Sequence, residues 1–252
     1  MPVRRRFAPA SLESLDIRLG RAELHYTKIL TRLLAAHALA EKLTAAGYER
    51  MLATVDDPEL RPAIEKNLAE ERRHARLIYR ALAEIGVSET QADWRMLTIA
   101  NGPSFAAPRW FAQQAHGVLD LVMGSISLDA TGMLMIGVNY RESSYGPHAR
   151  AAAVILEDEA EHENFGFDEL GRALERFGGE RIAEALRQWL PRAVNFFGPP
   201  GSGFTFDCLT YGLKTRDNQD LAELFLALLE RRLKQLGLKL PPLTNRYPFQ
   251  IA

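Results

Sequence analysis

A single cysteine, Cys208, stands among 252 residues. That excludes an internal disulfide, and it excludes an iron–sulfur cluster held by this chain alone, which needs several thiolates. A surplus of either charge is missing too: Lys+Arg number 31 and Asp+Glu 32, for a net charge of -1. Nucleic-acid domains usually carry a basic excess, so a general polyanion binder is disfavoured. Runs of β-branched residues are scarce, and no alternating strand pattern is evident. The three arginines of the Met1–Phe7 stretch have no apolar stretch behind them, because Glu13 and Asp16 follow. They read as a solvated basic tail and not as a twin-arginine export signal, which makes the cytoplasm the default location.

What is present is ordinary for a soluble globular chain: 47% hydrophobic and 25% charged residues. A disordered, collagen-like or disulfide-scaffold chain is excluded. The length suits one large domain or two small ones.

Leu, Ala, Glu and Arg dominate, and the apolar spacing is helical almost throughout. A first helix is expected over about Ser11–Ala53, with Gly20 or Gly47 as possible breaks. Asp57-Pro58 reads as the N-cap and first residue of a second helix that stops at Gly86. A polar, proline-containing stretch follows from Ser88 to Pro108. A third long helix is expected over Arg109–Arg141, a fourth over Pro147–Phe177 and a fifth over Glu180–Phe197. A Gly/Pro loop leads to a last helix from Asp217 to Gly237, and an extended tail covers Pro241–Ala252.

Leu121–Val138 is an 18-residue apolar run with one charge, Asp129, near its centre. A membrane span needs about 20 apolar residues. The central Asp and the lack of a second such segment favour a buried core helix. A carboxylate inside such a helix is costly unless something pairs with it.

Two Glu-x-x-His units occur, Glu71 with His74 and Glu159 with His162. Residues at i and i+3 share a helix face, so both side chains of a unit can reach one metal. Alone, the units are a mild excess over chance, and solvated helix faces would explain them. The spacing to a third group is more specific. Glu41 lies 30 residues before Glu71, and Asp129 lies 30 residues before Glu159, so a helical hairpin is repeated at an offset of 88. The midpoints, Asp56 and Ser144, fall beside or inside the expected turns. Each carboxylate is then roughly 22 Å along its helix from its turn, at about 1.5 Å per residue. Both hairpins put these groups at one height.

Two lone carboxylates and two Glu-x-x-His pairs from four helices form the ligand set of a di-iron or di-manganese site in a ferritin-like bundle. Two divalent ions would balance Glu41, Glu71, Asp129 and Glu159, and the oxygen and imidazole donors suit iron or manganese. Glu70, Asp158, Glu161 and Glu163 are alternatives in shifted registers. The named set is preferred because only it gives both the histidine pairing and the matched midpoints. The expected fold class is all-α: one ferritin-like domain over residues 1–252, with a four-helix metal-binding bundle at about 11–177 and extra helices at about 180–240.

At these residues the chain resembles the catalytic A subunit of the ring-1,2-phenylacetyl-CoA epoxidase, a bacterial multicomponent di-iron oxygenase. His37 to Glu41 resembles that family's first ligand helix, and Glu71 to His74 sits where the family has its first Glu-x-x-His. Ser144 to Arg150 matches a segment between the third and fourth ligand helices, and Glu159 to His162 falls at the second pair. Asn195 to Pro199 and Gln235 to Leu238 match in character. The likeness covers about Thr27 to Pro242.

The resemblance implies that the six residues, Glu41, Glu71, His74, Asp129, Glu159 and His162, are metal-binding and catalytic. It implies two iron ions, epoxidation of the ring of phenylacetyl-CoA or a related aromatic acyl-CoA by O2, and an oligomer with a related non-catalytic helical subunit. It also implies a separate flavin and iron–sulfur reductase, consistent with a chain that has neither a dinucleotide fingerprint nor a cysteine cluster. Other readings are a different di-iron hydroxylase, such as a tRNA-modifying one, a ferritin-like iron-binding protein with no organic substrate, and a metal-free scaffold subunit. Gly198 to Thr205 mimics a P-loop, but Phe204 replaces the lysine and no strand precedes it, so a connecting loop is expected. His37, one turn before Glu41, reads as either a partner of a ligand or a core histidine.

Overall fold

The computed structural model describes residues 4–243, and the fold is an all-α, ferritin-like helical bundle. A short helix α1 (Ser14–Arg18) precedes the long α2 (Leu24–Thr54). The break falls at Gly20, whose φ of 68° leaves the helical region, whereas Gly47 continues the helix. Helix α3 (Arg61–Glu84) starts later than the Asp57-Pro58 signal suggests. Asp57 instead caps a turn by accepting the Glu59 N–H, and Pro62 takes the early helical position. Gly86, with φ of 84°, ends α3 as expected.

The stretch from Ser88 to Pro108 is more helical than its composition suggests. Ser88 and Gln91 form a capping box that starts α4 (Glu89–Met96). The helix α5 (Ala106–Gln113) then separates from α6 (Gly117–Glu142), because Gly117 turns the chain with φ of 73°. One continuous helix from Arg109 is therefore not formed. Helix α6 carries two π-helical turns, Ser125–Asp129 and Met135–Asn139. After it come α7 (Gly146–Phe177), α8 (Gly179–Phe196), α9 (Gly203–Thr210) and α10 (Asn218–Gln235). The loop expected around Gly198 therefore gives way to α9, begun by Ser202, whose side chain accepts the Thr205 N–H. Asp217 caps α10 through Gln219 N–H. Of the expected extended tail, 244–252 lies outside the described residues, as do Met1 to Val3.

The apolar run in α6 is core: 67% of its most apolar window is buried. It is the only helix among the described residues long and apolar enough to cross a membrane. The turn between α6 and α7 is tied down from three sides. Leu12 N–H donates to the Ser144 carbonyl, Ser144 N–H donates to the Gly212 carbonyl, and Tyr145 Oη donates to the Ala81 carbonyl.

Two apolar clusters stack along the bundle. In α2, Tyr26, Leu30 and Leu34 join one cluster, while Ala45, Tyr48 and Met51 join the other. In α3 the same division separates Leu82 and Ile78 from Leu68 and Ile64, and in α7 it separates Ile155 from Phe167. The polar residues singled out above lie at this boundary. The second cluster continues into Trp189 of α8 and Phe225 of α10.

Phe111 of α5 is wedged into that cluster. Its ring meets Tyr48 edge-on at 5.2 Å and Trp189 at 6.1 Å, and it fills a notch left by Gly47 and Gly124. A Cβ at Gly124 would lie 2.7 Å from the ring, and one at Gly47 would collide with it. Gly47→Ala should therefore destabilise the protein by about 1–3 kcal/mol through overpacking, although alanine is the better helix former by about 1 kcal/mol. Denaturant unfolding measures this, and an unchanged or raised stability would show that Phe111 is not held in this way.

Candidate metal centre

All six residues picked from the sequence are buried, none more than 6% exposed. They form two groups that share Glu71: Glu41, Glu71, His74 and Glu159, and then Glu71, Asp129 and His162. The possible donor atoms within each group lie within 4.8 Å of one another. His74 Nδ1 is 3.6 Å from Glu41 Oε2, 3.9 Å from Glu71 Oε2 and 3.7 Å from Glu159 Oε1. His162 Nδ1 is 3.4 Å from the other Glu71 oxygen, Oε1. Glu71 thus turns one oxygen to each imidazole and lies between the two groups.

The far side of each imidazole is anchored by a carboxylate from the opposite hairpin. His74 Nε2 meets Asp158 Oδ2 at 2.8 Å, and His162 Nε2 meets Glu70 Oε2 at 2.9 Å. In the neutral imidazole such a partner places the proton on Nε2 and leaves the Nδ1 lone pair facing inward. Asp158 also pairs with Arg73, and Glu70 lies 3.9 Å from Lys66. Glu70 and Asp158 are therefore half-buried, turned to the imidazoles and outside the two groups of converging donors. Each directly precedes the glutamate of a Glu-x-x-His unit, and that shared acid is the sequence signal for them. Glu161 is exposed and pairs with Lys66, and Glu163 pairs with Arg232 of α10 at 3.3 Å.

Two further contacts hold the lone carboxylates. Tyr48 Oη donates to Asp129 Oδ2 at 2.7 Å and lies 3.1 Å from Ser125 Oγ. Asp129 closes the first π-helical turn of α6. His37 Nε2 lies 2.8 Å from Glu41 Oε1, and its Nδ1 lies 3.1 Å from His148 Nε2. His37 is thus both buried and hydrogen-bonded to Glu41. Tyr48 and His148 carry no signal in local spacing, because each meets its partner across the bundle, whereas Ser125 lies one turn before Asp129 on α6.

The charges oppose one another. Burial, reinforced by the carboxylates of Glu41 and Asp129, pushes Glu71 well above the usual carboxylate range. Burial and then Glu71 do the same to Glu159. Burial raises Asp129 to about 6, against the pull of His162 and the Tyr48 hydroxyl. Burial opposes ionisation of Glu41 too, but the hydrogen bond from His37 and the nearby His74 imidazole hold it below its ordinary value. For His162 the hydrogen bond to Glu70 and the carboxylates of Asp129 and Glu159 outweigh burial and raise it to about 9.

Four buried atoms here have no hydrogen-bond partner among the described residues: Glu71 Oε2, Glu159 Oε2, His74 Nδ1 and His162 Nδ1. Buried polar atoms are rarely left unpaired. Once deprotonated, all four offer electron pairs to one volume, and the four carboxylates would balance two divalent cations. The residues therefore fit a pair of metal ions.

A cavity of about 360 Å³ opens beside the cluster. Glu41, His37 and Gly132 line one part of it, and Met135, Ile136, Phe105 and Phe197 add apolar wall. A Cβ on Gly132 would come within 3.0 Å of Glu159 Oε2, so glycine keeps the boundary between cavity and cluster thin.

Fold and site together define a ferritin-like helical bundle with a buried carboxylate–histidine cluster able to hold metal. The model of the phenylacetic acid catabolic protein family matches residues 73–247, and the chain belongs to that family. The match does not distinguish the A subunit from the C subunit. A search of curated proteins returned no match. The family makes the chain a component of phenylacetate catabolism.

Asp158→Asn and Glu70→Gln should each weaken metal binding by about 10- to 100-fold, because they loosen an imidazole without removing a ligand. Chelator competition reads this directly, and wild-type affinity in both variants would refute the anchoring role. A second expectation concerns pH. A carboxyl with a raised folded-state value, such as Asp129, favours the fold below the unfolded value and loses that contribution as pH rises through about 6. The raised His162 acts in the same direction, with its contribution lost as pH rises through about 9. The metal-free protein should therefore melt at progressively lower temperature from pH 5 to pH 9. Loading with divalent metal should flatten that slope, because coordination takes the deprotonated groups. A metal-free melting point that rises over this range would contradict the assignment.

Proposed function

We propose that the chain is the catalytic subunit of a multicomponent di-iron oxygenase that epoxidises the aromatic ring of phenylacetyl-CoA or a related acyl-CoA. In this reading Glu41, Glu71, His74, Asp129, Glu159 and His162 hold two iron ions, manganese being the alternative, on a single ferritin-like domain. A bound iron pair supplies the two-electron activation of O2 that no side chain can perform. The chain's own residues do the rest. Glu71, common to both donor groups, would contribute to holding each ion, Asp158 and Glu70 hold the imidazoles in register, and Tyr48 and His37 orient the lone carboxylates. The apolar wall of the cavity excludes water and holds a ring beside Glu41.

The observation that carries the substrate reading is the apolar cavity reaching the cluster at Glu41. Its size falls within the usual range for organic ligands, about 300–1,000 Å³. Exposed Arg32, stacked over Phe204 at 4.3 Å, puts a cation on the same lining, as a phosphate-bearing acyl carrier would require. An iron-storage protein has no need of such a cavity, and the balanced charge disfavours tRNA. The presence of all six donors favours the catalytic subunit over a metal-free scaffold. The lone, buried Cys208 fits electron supply from a separate flavin and iron–sulfur reductase, within a cytoplasmic complex that includes a related non-catalytic subunit.

The test is a single turnover with reduced, iron-loaded protein, isolated with its associated subunits, phenylacetyl-CoA and O2. Mass spectrometry should find the thioester heavier by one oxygen atom, and Glu71→Ala should give none. Iron loading and O2 uptake that leave the thioester unmodified would instead favour an iron-binding protein without an organic substrate.

A further inference from the structure

Lys214 is the only lysine or arginine among the described residues that is buried, at 3% exposure. It lies in the connection between α9 and α10 and lines the cavity that also reaches Glu41. Its position is fixed from both sides. Lys214 N–H donates to the Cys208 carbonyl, and the next two residues, Thr215 and Arg216, donate their N–H groups to Asn139 Oδ1 at 2.9 Å each. Asn139 closes the second π-helical turn of α6, so the lysine is bolted to the helix that carries Asp129.

The ammonium is poorly satisfied. Lys214 Nζ donates to Asn218 Oδ1 at 2.6 Å, and no carboxylate among the described residues lies within ion-pair distance. Asn218 is committed elsewhere, donating to the Pro199 carbonyl at 3.1 Å and to Thr205 Oγ1 at 3.0 Å. An ammonium has three donors, so two remain after Asn218. Burial pulls the group below the usual lysine range, as expected for a cation without a counterion. Keeping an unpaired cation inside a protein is costly, and hydrophobic replacements at such positions are often neutral or stabilising. The apolar residues Met135, Ile136 and Phe197 line the same cavity, together with Glu41.

We propose that Lys214 is the acyl-oxygen anchor of this cavity, its free ammonium donors taking the thioester carbonyl oxygen of the bound aromatic acyl group. The aromatic ring then lies on the apolar wall toward Glu41. In phenylacetyl thioesters the carbonyl is separated from the ring by one methylene, so fixing that oxygen fixes which ring carbons face the metal positions. This assignment rests on the acyl-thioester reading above.

The experiment is calorimetric binding to the metal-loaded full-length protein. Three probes are used: phenylacetyl-CoA, its carbonyl-free 2-phenylethyl thioether of coenzyme A, and free phenylacetate. Lys214→Met keeps the stem and removes the charge, and Lys214→Gln keeps a neutral donor should the first variant fail to fold. Removing a hydrogen bond from a charged donor should weaken phenylacetyl-CoA binding roughly tenfold to a hundredfold. Affinity for the thioether should change less than threefold. Equal losses for thioester and thioether would mean that Lys214 only supports the wall, and unchanged thioester affinity would likewise overturn the anchor, in both cases without touching the proposed reaction. Wild-type binding of phenylacetate but not of either coenzyme A ligand, lost in Lys214→Met, would keep an acyl-oxygen anchor while overturning the thioester. Wild-type protein that binds none of the three would overturn both the anchor and the acyl reading.

Discussion

Four carboxyl groups and two imidazoles occupy one water-poor volume between two apolar clusters. Carboxylates so placed repel one another and have lost their hydration, a combination a protein tolerates only when cations or protons intervene. The raised values of Glu71, Glu159 and Asp129 express that tension in the metal-free protein. Much of the surrounding architecture reads as a means of keeping these groups together. The crossed anchors Asp158 to His74 and Glu70 to His162 tie one hairpin to the other. Phe111, seated on two glycines, holds Tyr48 where its hydroxyl meets Asp129.

The helix α6 shows how the chain reconciles burial with chemistry. A straight apolar helix would serve the core equally well, but it would not by itself aim a carboxylate. The π-helical turn ending at Asp129 widens the helix locally and brings Ser125 near Tyr48. The second π-helical turn, ending at Asn139, opens a docking point for the segment that carries Lys214. Irregular turns of this kind recur at functional sites because they redirect side chains without breaking the helix. One helix thereby carries Asp129 at the carboxylate–histidine cluster and, farther along, the docking point of the segment that holds Lys214.

In this member of the phenylacetic acid catabolic family the carboxylate–histidine cluster and the apolar cavity adjoin. Glu41 belongs to both, because it lies in the cluster and lines the cavity. Gly132 keeps the partition thin. A larger residue there would press on Glu159 and fill space beside the cluster.

Repeated spacing made much of this legible. Helical periodicity located the four bundle helices, and the equal separations Glu41–Glu71 and Asp129–Glu159 put six residues at one height, because two antiparallel helices bring equidistant residues together. The breaks were less legible. Gly20 ended a helix while Gly47 did not, since the second is held by packing against Phe111 and not by its own preferences. The short helices α4 and α9 were hidden by polar or Gly/Pro-rich composition and decided by local capping from Ser88 and Ser202, while α5 reads in the sequence as part of one long helix that in fact breaks at Gly117. Sequence determined the helical class and the set of acids and histidines that a fold could gather. Only tertiary structure decided that Glu70 and Asp158 serve the opposite hairpin's histidines, that Tyr48 reaches Asp129, and that Lys214 is buried with no carboxylate among the described residues beside it. The reason is physical: periodicity fixes which face of a helix a residue occupies, whereas a partner 80 or more residues away is fixed by how the helices cross.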